Sequence, residues 1–273
     1  MHRSQFPHPV RRGVAVAAGL SALTLTVVAC GDGQGPGPAG QGTTTSGAEV
    51  AVAPPVIDPG DGGEYRPAVD PANFVEVIDN PYLPFLPGSR WVYEGDSDGE
   101  VERIEVVVTD ERRQIMGISA VVVRDTVEVG GELVEDTFDW FAQDRDGNVW
   151  YLGEDSREIV DGEVVNADGS WEAGVDGALP GIVMLADPTP GTAYRQEFYA
   201  GEAEDMGEVL RIEGTASIAR GQYDDVVVTQ DWTPLEPEVI EEKWYAPGVG
   251  KIYETHTAGH SGTVELVEFT PGS

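Results

Sequence analysis

The chain has 273 residues, 40% of them hydrophobic and 24% charged, so it can bury a real core and is not a disordered tail. Sixteen Lys and Arg stand against 49 Asp and Glu, a net charge of -33, and such a field repels phosphate backbones and anionic headgroups. That argues against a nucleic-acid partner and suits an exported protein that stays soluble by charge. Only Lys243 and Lys251 are lysines, a bias that reads as a GC-rich coding genome.

Residues 1 to 12 carry Arg3, Arg11 and Arg12 and no acid, Gly13 to Val28 is an apolar run, and Ala29-Cys30-Gly31 follows. This is the order of a secretory signal peptide, and a run of sixteen residues falls short of the ~20 that a spanning helix needs. Val27-Val28-Ala29-Cys30 resembles the lipobox of bacterial lipoprotein precursors. The resemblance implies that residues 1–29 are removed, that Cys30 becomes the lipidated first residue, and that the lipid anchors the protein to the outer face of the cell membrane. Arg11-Arg12 lacks the flanking residues of a twin-arginine signal, so general secretion is expected. Cys30 is the only cysteine, so no internal disulfide can form and the fold must rest on packing. Removing residues 1–29 takes away three arginines and no acids, which leaves 13 basic residues against 49 acids, or -36.

Residues 30–63 are Gly-, Pro- and Thr-rich with almost no large apolar side chain, and they read as a flexible tether to a single β-rich domain over 64–273. Asn80-Pro-Tyr-Leu-Pro-Phe-Leu-Pro-Gly88 differs, because Tyr82, Leu83, Phe85 and Leu86 interleave the prolines; it predicts an extended segment pinned onto the core. From Ser89 the period is two. Ile104, Val106 and Val108 alternate with Arg103 and Glu105, and Gly130-Gly131 and Asp161-Gly162 punctuate strand pairs as type I′ turns do. No window of eleven residues carries apolar positions at helical spacing, so the expectation is an all-β, antiparallel meander.

An internal repeat organises it. Pro87-Gly-Ser-Arg-Trp91 matches Pro190-Gly-Thr-Ala-Tyr194, Val121–Val123 matches Val226–Val228, and Trp140-Phe-Ala142 matches Trp244-Tyr-Ala246, at offsets of 103, 105 and 104. Two copies, about 87–155 and 190–256, each too small to close a core, would pair into one curved sheet, half-barrel or sandwich.

Asp144, Asp146 and Asn148 around Gly147 have the alternation of a calcium loop, but the second copy places Pro247-Gly-Val-Gly250 there, without an acid. The two share a hairpin, so a turn explains both, with calcium the alternative. His256 and His260 have His-x-x-x-His spacing through Thr-Ala-Gly and are the candidate zinc ligands, again against solvated loop residues. Gly201–Glu208 puts four carboxylates in eight residues, which reads as a polar loop. Glu242 falls in alternation with Ile240, Trp244 and Ala246, a carboxylate on an apolar face, and is the one catalytic candidate, with Arg124 or Arg211 as a salt-bridge partner.

There is no His-Glu-x-x-His and no glycine-rich phosphate loop. The Pro-Gly-aromatic opening and Trp244-Tyr-Ala-Pro-Gly-Val-Gly250 resemble uncharacterised bacterial secreted and lipoprotein families, and the domain more distantly resembles half-barrel lipoproteins that carry lipid on a curved sheet. The expected function is non-enzymatic binding of an apolar ligand or an envelope protein, with Trp140, Trp244 and Tyr245 as ligand-binding candidates beside Trp91 and Trp150. The alternatives are a carboxylate hydrolase of envelope polymers and a metal-binding lipoprotein.

Overall fold

The computed structural model describes residues 64–97 and 99–273; the signal peptide, Cys30 and tether expected over 1–63 lie outside the described residues. The described chain is all-β. Among its residues the helical element is a three-residue 3-10 turn, Pro71–Asn73, capped by the Asp70 side chain.

After β1 (Phe74–Val75) comes a meander of β2 (Arg90–Ser97), β3 (Glu100–Ile115), β4 (Ile118–Val129), β5 (Glu132–Asp144) and β6 (Val149–Asp155). Short strands follow: β7 (Glu158–Val160), β8 (Glu163–Asn166), β9 (Trp171–Glu172), β10 (Leu179–Met184), β11 (Ala193–Arg195) and β12 (Glu197–Phe198). A second meander contains β13 (Met206–Ile218), β14 (Gly221–Trp232), β15 (Ile240–Ala246), β16 (Gly250–Ala258) and β17 (Gly262–Thr270). Gly130-Gly131 and Asp161-Gly162 both have positive φ at the two turn positions, which is the type I′ geometry that matches strand twist. Met116-Gly117 makes the same turn between β3 and β4, where methionine gives no turn signal in the sequence.

Pairing closes the sheet on itself. β17 runs antiparallel to β2 and joins the meanders on one side. On the other, β6 pairs with β10, β10 with β12, and β11, which continues into β12 through Gln196, pairs with β13. The product is a barrel-like curved sheet rather than a sandwich. The seam requires Gly181: a Cβ there would sit 2.2 Å from the carbonyl of Gln196.

The strands opening each meander are anchored alike. The Gly88 amide donates to the Val108 carbonyl at 2.9 Å and the Val108 amide to Ser89 at 2.9 Å; the Gly191 amide donates to Val209 at 2.7 Å and the Val209 amide to Thr192 at 3.0 Å.

The Pro-rich segment packs against the sheet. Leu83 and Phe85 are buried, Phe85 lies 5.0 Å from Phe141 and 5.7 Å from Trp91 between ring centroids, and the Gly248 amide donates to Pro81. Each large side chain so buried stabilises the fold by about 2–3 kcal/mol.

Candidate functional site

Strand alternation divides each strand between the inside of the barrel and its outer face, and register fixes which residues meet inside. Val123 pairs with Asp139 and Asp125 with Thr137 across β4 and β5, so Asp125 and Asp139 are diagonal neighbours on one face. Across β14, β15 and β16 the inner rows are Val227, Tyr245 and Lys251; Thr229, Lys243 and Glu254; and Asp231, Glu241 and His256. Between these walls lies a cavity of about 120 Å³. Leu83, Phe85, Trp91, Val106, Phe141 and Val183 give it an apolar wall, and Asp125, Asp139, Asp231, Lys243 and Lys251 a charged one.

Both lysines of the chain therefore face this interior, each matched to acids. The Lys243 ammonium is 3.1 Å from Asp231 and 3.2 Å from Glu241, and the Lys251 ammonium donates to Glu254 at 2.7 Å while lying 4.9 Å from the centre of the Tyr93 ring. Burial works against the Lys243 charge, but Asp231, Glu241 and Glu254 outweigh it and hold its pKa well above the ordinary lysine value. Burial would likewise raise Glu254, yet Lys251 and Lys243 bring it below the ordinary range.

The remaining acids are not matched this way. Burial, reinforced by Asp139, pushes the Asp125 carboxyl well above the usual range, and its buried Oδ1 has no hydrogen-bond partner. Asp139 is raised by burial to about 7, although the Tyr151 hydroxyl donates to its Oδ1 at 2.6 Å. Deeper in the protein Glu154 and Glu197 are raised well above the ordinary value, burial being the first cause in each; the Trp171 indole donates to Glu197 Oε2 at 2.8 Å and Oε1 has no partner. A buried carboxyl that cannot find a cation stays protonated.

The residues singled out in the sequence fall mostly elsewhere. Tyr245 and Trp91 line the cavity. Trp140 does not: the Arg113 guanidinium covers it at 3.9 Å. Trp244 lies under Arg211 and against Tyr253, and the Trp150 indole donates to Asp144 at 2.8 Å. Glu242 lies on the outward face of β15, bonded to Arg211 at 3.0 Å, because the inward residues of that strand are Glu241, Lys243 and Tyr245. Arg124 instead grips Asp136 through two bonds of 2.7 and 3.0 Å.

At the 144–148 loop the Asp144 carboxylate is committed to the turn. Its Oδ1 accepts the Asn148 amide and its Oδ2 the Asn148 side chain and the Trp150 indole, all at 2.8–2.9 Å, while Asp146 points to solvent. Gly147 at φ 100 makes the corner. His256 and His260 do come together, ring centroids 5.6 Å apart, with His256 Nδ1 3.5 Å from Glu241. Among the described residues no three His, Cys, Asp or Glu side chains are arranged to hold a metal ion. Of the acidic stretch 201–208, the last three residues belong to β13, and Asp205 just before it is raised by burial to about 7.

The charged wall is not legible in the sequence because alternation marks two faces without saying which one is enclosed. The available signal was that the only lysines, Lys243 and Lys251, sit in strands beside acids, an arrangement with little value on an exposed surface.

No protein-family model and no curated protein matches the chain. Among solved structures, a protein described as exported with a YmcC-like fold from Bacteroides fragilis aligns at a TM-score of 0.39 and 14% identity, covering 70% of this chain and 99% of its own. One described as a lipoprotein from Parabacteroides distasonis aligns at 0.32 and 13%, with the same coverage. Likenesses this slight carry no inference about function.

Proposed function

We propose that this protein is an exported, lipid-anchored binding protein that holds a small ligand inside its barrel. The observation that carries the reading is the cavity of about 120 Å³, with Phe85, Trp91 and Phe141 on one side and ionisable groups on the other. A site that is mostly apolar with a few polar groups to orient the guest is the usual form of a small-molecule pocket. Anchorage through Cys30 is supported by the signal-peptide order and the lipobox-like Val27–Cys30. The cavity is small for a lipid chain, so the guest is a compact molecule rather than the lipid that a half-barrel carrier would hold. Native mass spectrometry of detergent-free protein tests this, together with saturation-transfer NMR using benzyl alcohol as a generic guest. The expected result is binding that is lost when Val123→Phe or Val183→Phe fills the space. No co-purifying mass and no binding of benzyl alcohol or of its amine counterpart, benzylamine, would sink the reading.

A further inference from the structure

The interior charges say more about the guest, and this step rests on the binding reading above. Lys243 and Lys251 cannot serve an incoming anion, since their ammonium groups are already held by Asp231, Glu241 and Glu254 at 2.7–3.2 Å. What the cavity wall offers is acid. Asp125 has a buried oxygen with no hydrogen-bond partner, and Asp139 is its diagonal neighbour on the same face. Glu135 and Glu254 add negative potential around Asp125, and of the nearby cations Lys251 opposes it. An anionic guest would meet like charge here, and a neutral hydrocarbon would leave the Asp125 oxygen unsatisfied at a cost typical of a buried orphan acceptor.

The same wall already shows how it treats an ammonium group. Lys251 places its Nζ 4.9 Å from the centre of the Tyr93 ring and 2.7 Å from Glu254, held between an aromatic face and a carboxylate. The elements of a second such seat are present: Asp125 shares a cross-strand row with Trp91 through Val106, and Phe141 lines the same cavity. The size is also restrictive, because a cavity of about 150 Å³ accepts a molecule on the scale of benzene.

We infer that the guest is a small organic cation, an alkyl- or arylammonium ion, seated with its charge on Asp125 and its apolar body against Phe85, Trp91 and Phe141. Burial raises the Asp125 pKa and favours its neutral form while the cavity is empty; an ammonium group supplies the counter-charge that favours the carboxylate. Asp125 is a binding residue in this reading and performs no chemistry.

Calorimetric titration of the purified protein at neutral pH with benzylamine and with benzyl alcohol, which share a ring and differ in charge, tests the inference. Benzylamine is expected to bind at least about tenfold more tightly, and Asp125→Asn to reduce the two to equal affinity. Asparagine imitates the neutral carboxyl, so the variant should fold; if it does not, the wild-type comparison still decides. Equal binding of both probes by the wild type would overturn the charge inference and leave the binding reading standing. A preference for benzylamine that survives in Asp125→Asn would overturn the assignment to Asp125. Binding of neither probe, with no co-purifying mass, would overturn both.

Discussion

Lys243 on β15 and Asp231 on β14 form a diagonal ion pair inside the barrel, Nζ to Oδ2 at 3.1 Å, with side chains only 7% and 8% exposed. Glu241 completes the group at 3.2 Å from the same ammonium. Two acids share one cation in a place water reaches poorly, so the lysine is their common counter-charge.

Lys243→Met should therefore destabilise the fold by about 3–5 kcal/mol near pH 8, because it leaves buried acids without a counter-charge. The loss should shrink near pH 5, where protonation of Glu241, raised by burial to about 7, removes part of the problem. Urea unfolding at both pH values measures this; a loss that does not depend on pH would mean that Lys243 contributes packing and not charge.

The interior acids also predict an inverted pH profile. Asp139, Asp205, Glu241, Glu102 and Glu135 are each raised to about 7, in every case first by burial, from ordinary values of 3.8 or 4.5. The folded state holds these protons more tightly than the unfolded one, so their stabilising effect is complete below about pH 4 and is lost as pH rises through about 7. Glu105 and Glu254 are shifted down and act oppositely, losing their contribution as pH falls below about 4.5. Thermal unfolding should show a Tm that is highest near about pH 5 and falls by several degrees by about pH 8. A Tm that rises over that interval would contradict the protonated interior.

At the 144–148 turn, Asp144→Ala removes the acceptor of three hydrogen bonds, from the Asn148 amide, the Asn148 side chain and the Trp150 indole. We expect a loss of about 2–4 kcal/mol in chemical denaturation. Calcium at millimolar concentration should leave the Tm of the wild type unchanged, and a calcium-dependent rise that vanishes in the variant would restore the metal reading.

Closure of the barrel rests on a residue with no side chain. In Gly181→Ala the new Cβ would meet the Gln196 carbonyl at 2.2 Å, so β10 and β12 must separate. A loss of about 2–3 kcal/mol is expected, with faster amide exchange at Tyr194–Phe198 than in the rest of the sheet. Uniform exchange would place the seam elsewhere.

For the anchor, Cys30→Ala should abolish incorporation of labelled palmitate and shift the protein from the membrane fraction to the medium. Retention of label and of membrane partition in the variant would remove Cys30 as the attachment point.

The sequence by itself determined the strands and turns, because both are local. Alternation over Ile104 to Val108 and the left-handed turn pairs at Gly130-Gly131 and Asp161-Gly162 specify extended chain and tight reversal without reference to the rest of the molecule. The aromatic-proline stretch was legible too, since Leu83 and Phe85 have no reason to interrupt a solvated linker. What only the tertiary structure decided is which face of each strand is enclosed. Ile240-Glu-Glu-Lys-Trp-Tyr245 can be read with Glu242 and Trp244 inward as readily as with Lys243 and Tyr245 inward, and a shift of one residue exchanges the two sets. Hydrophobicity favours the first choice. The closed sheet takes the second, because neighbouring strands put Asp231 and Glu254 where they neutralise Lys243, while Arg211 covers Trp244 outside. Such compensation joins residues from several strands, and a single strand's pattern cannot show it.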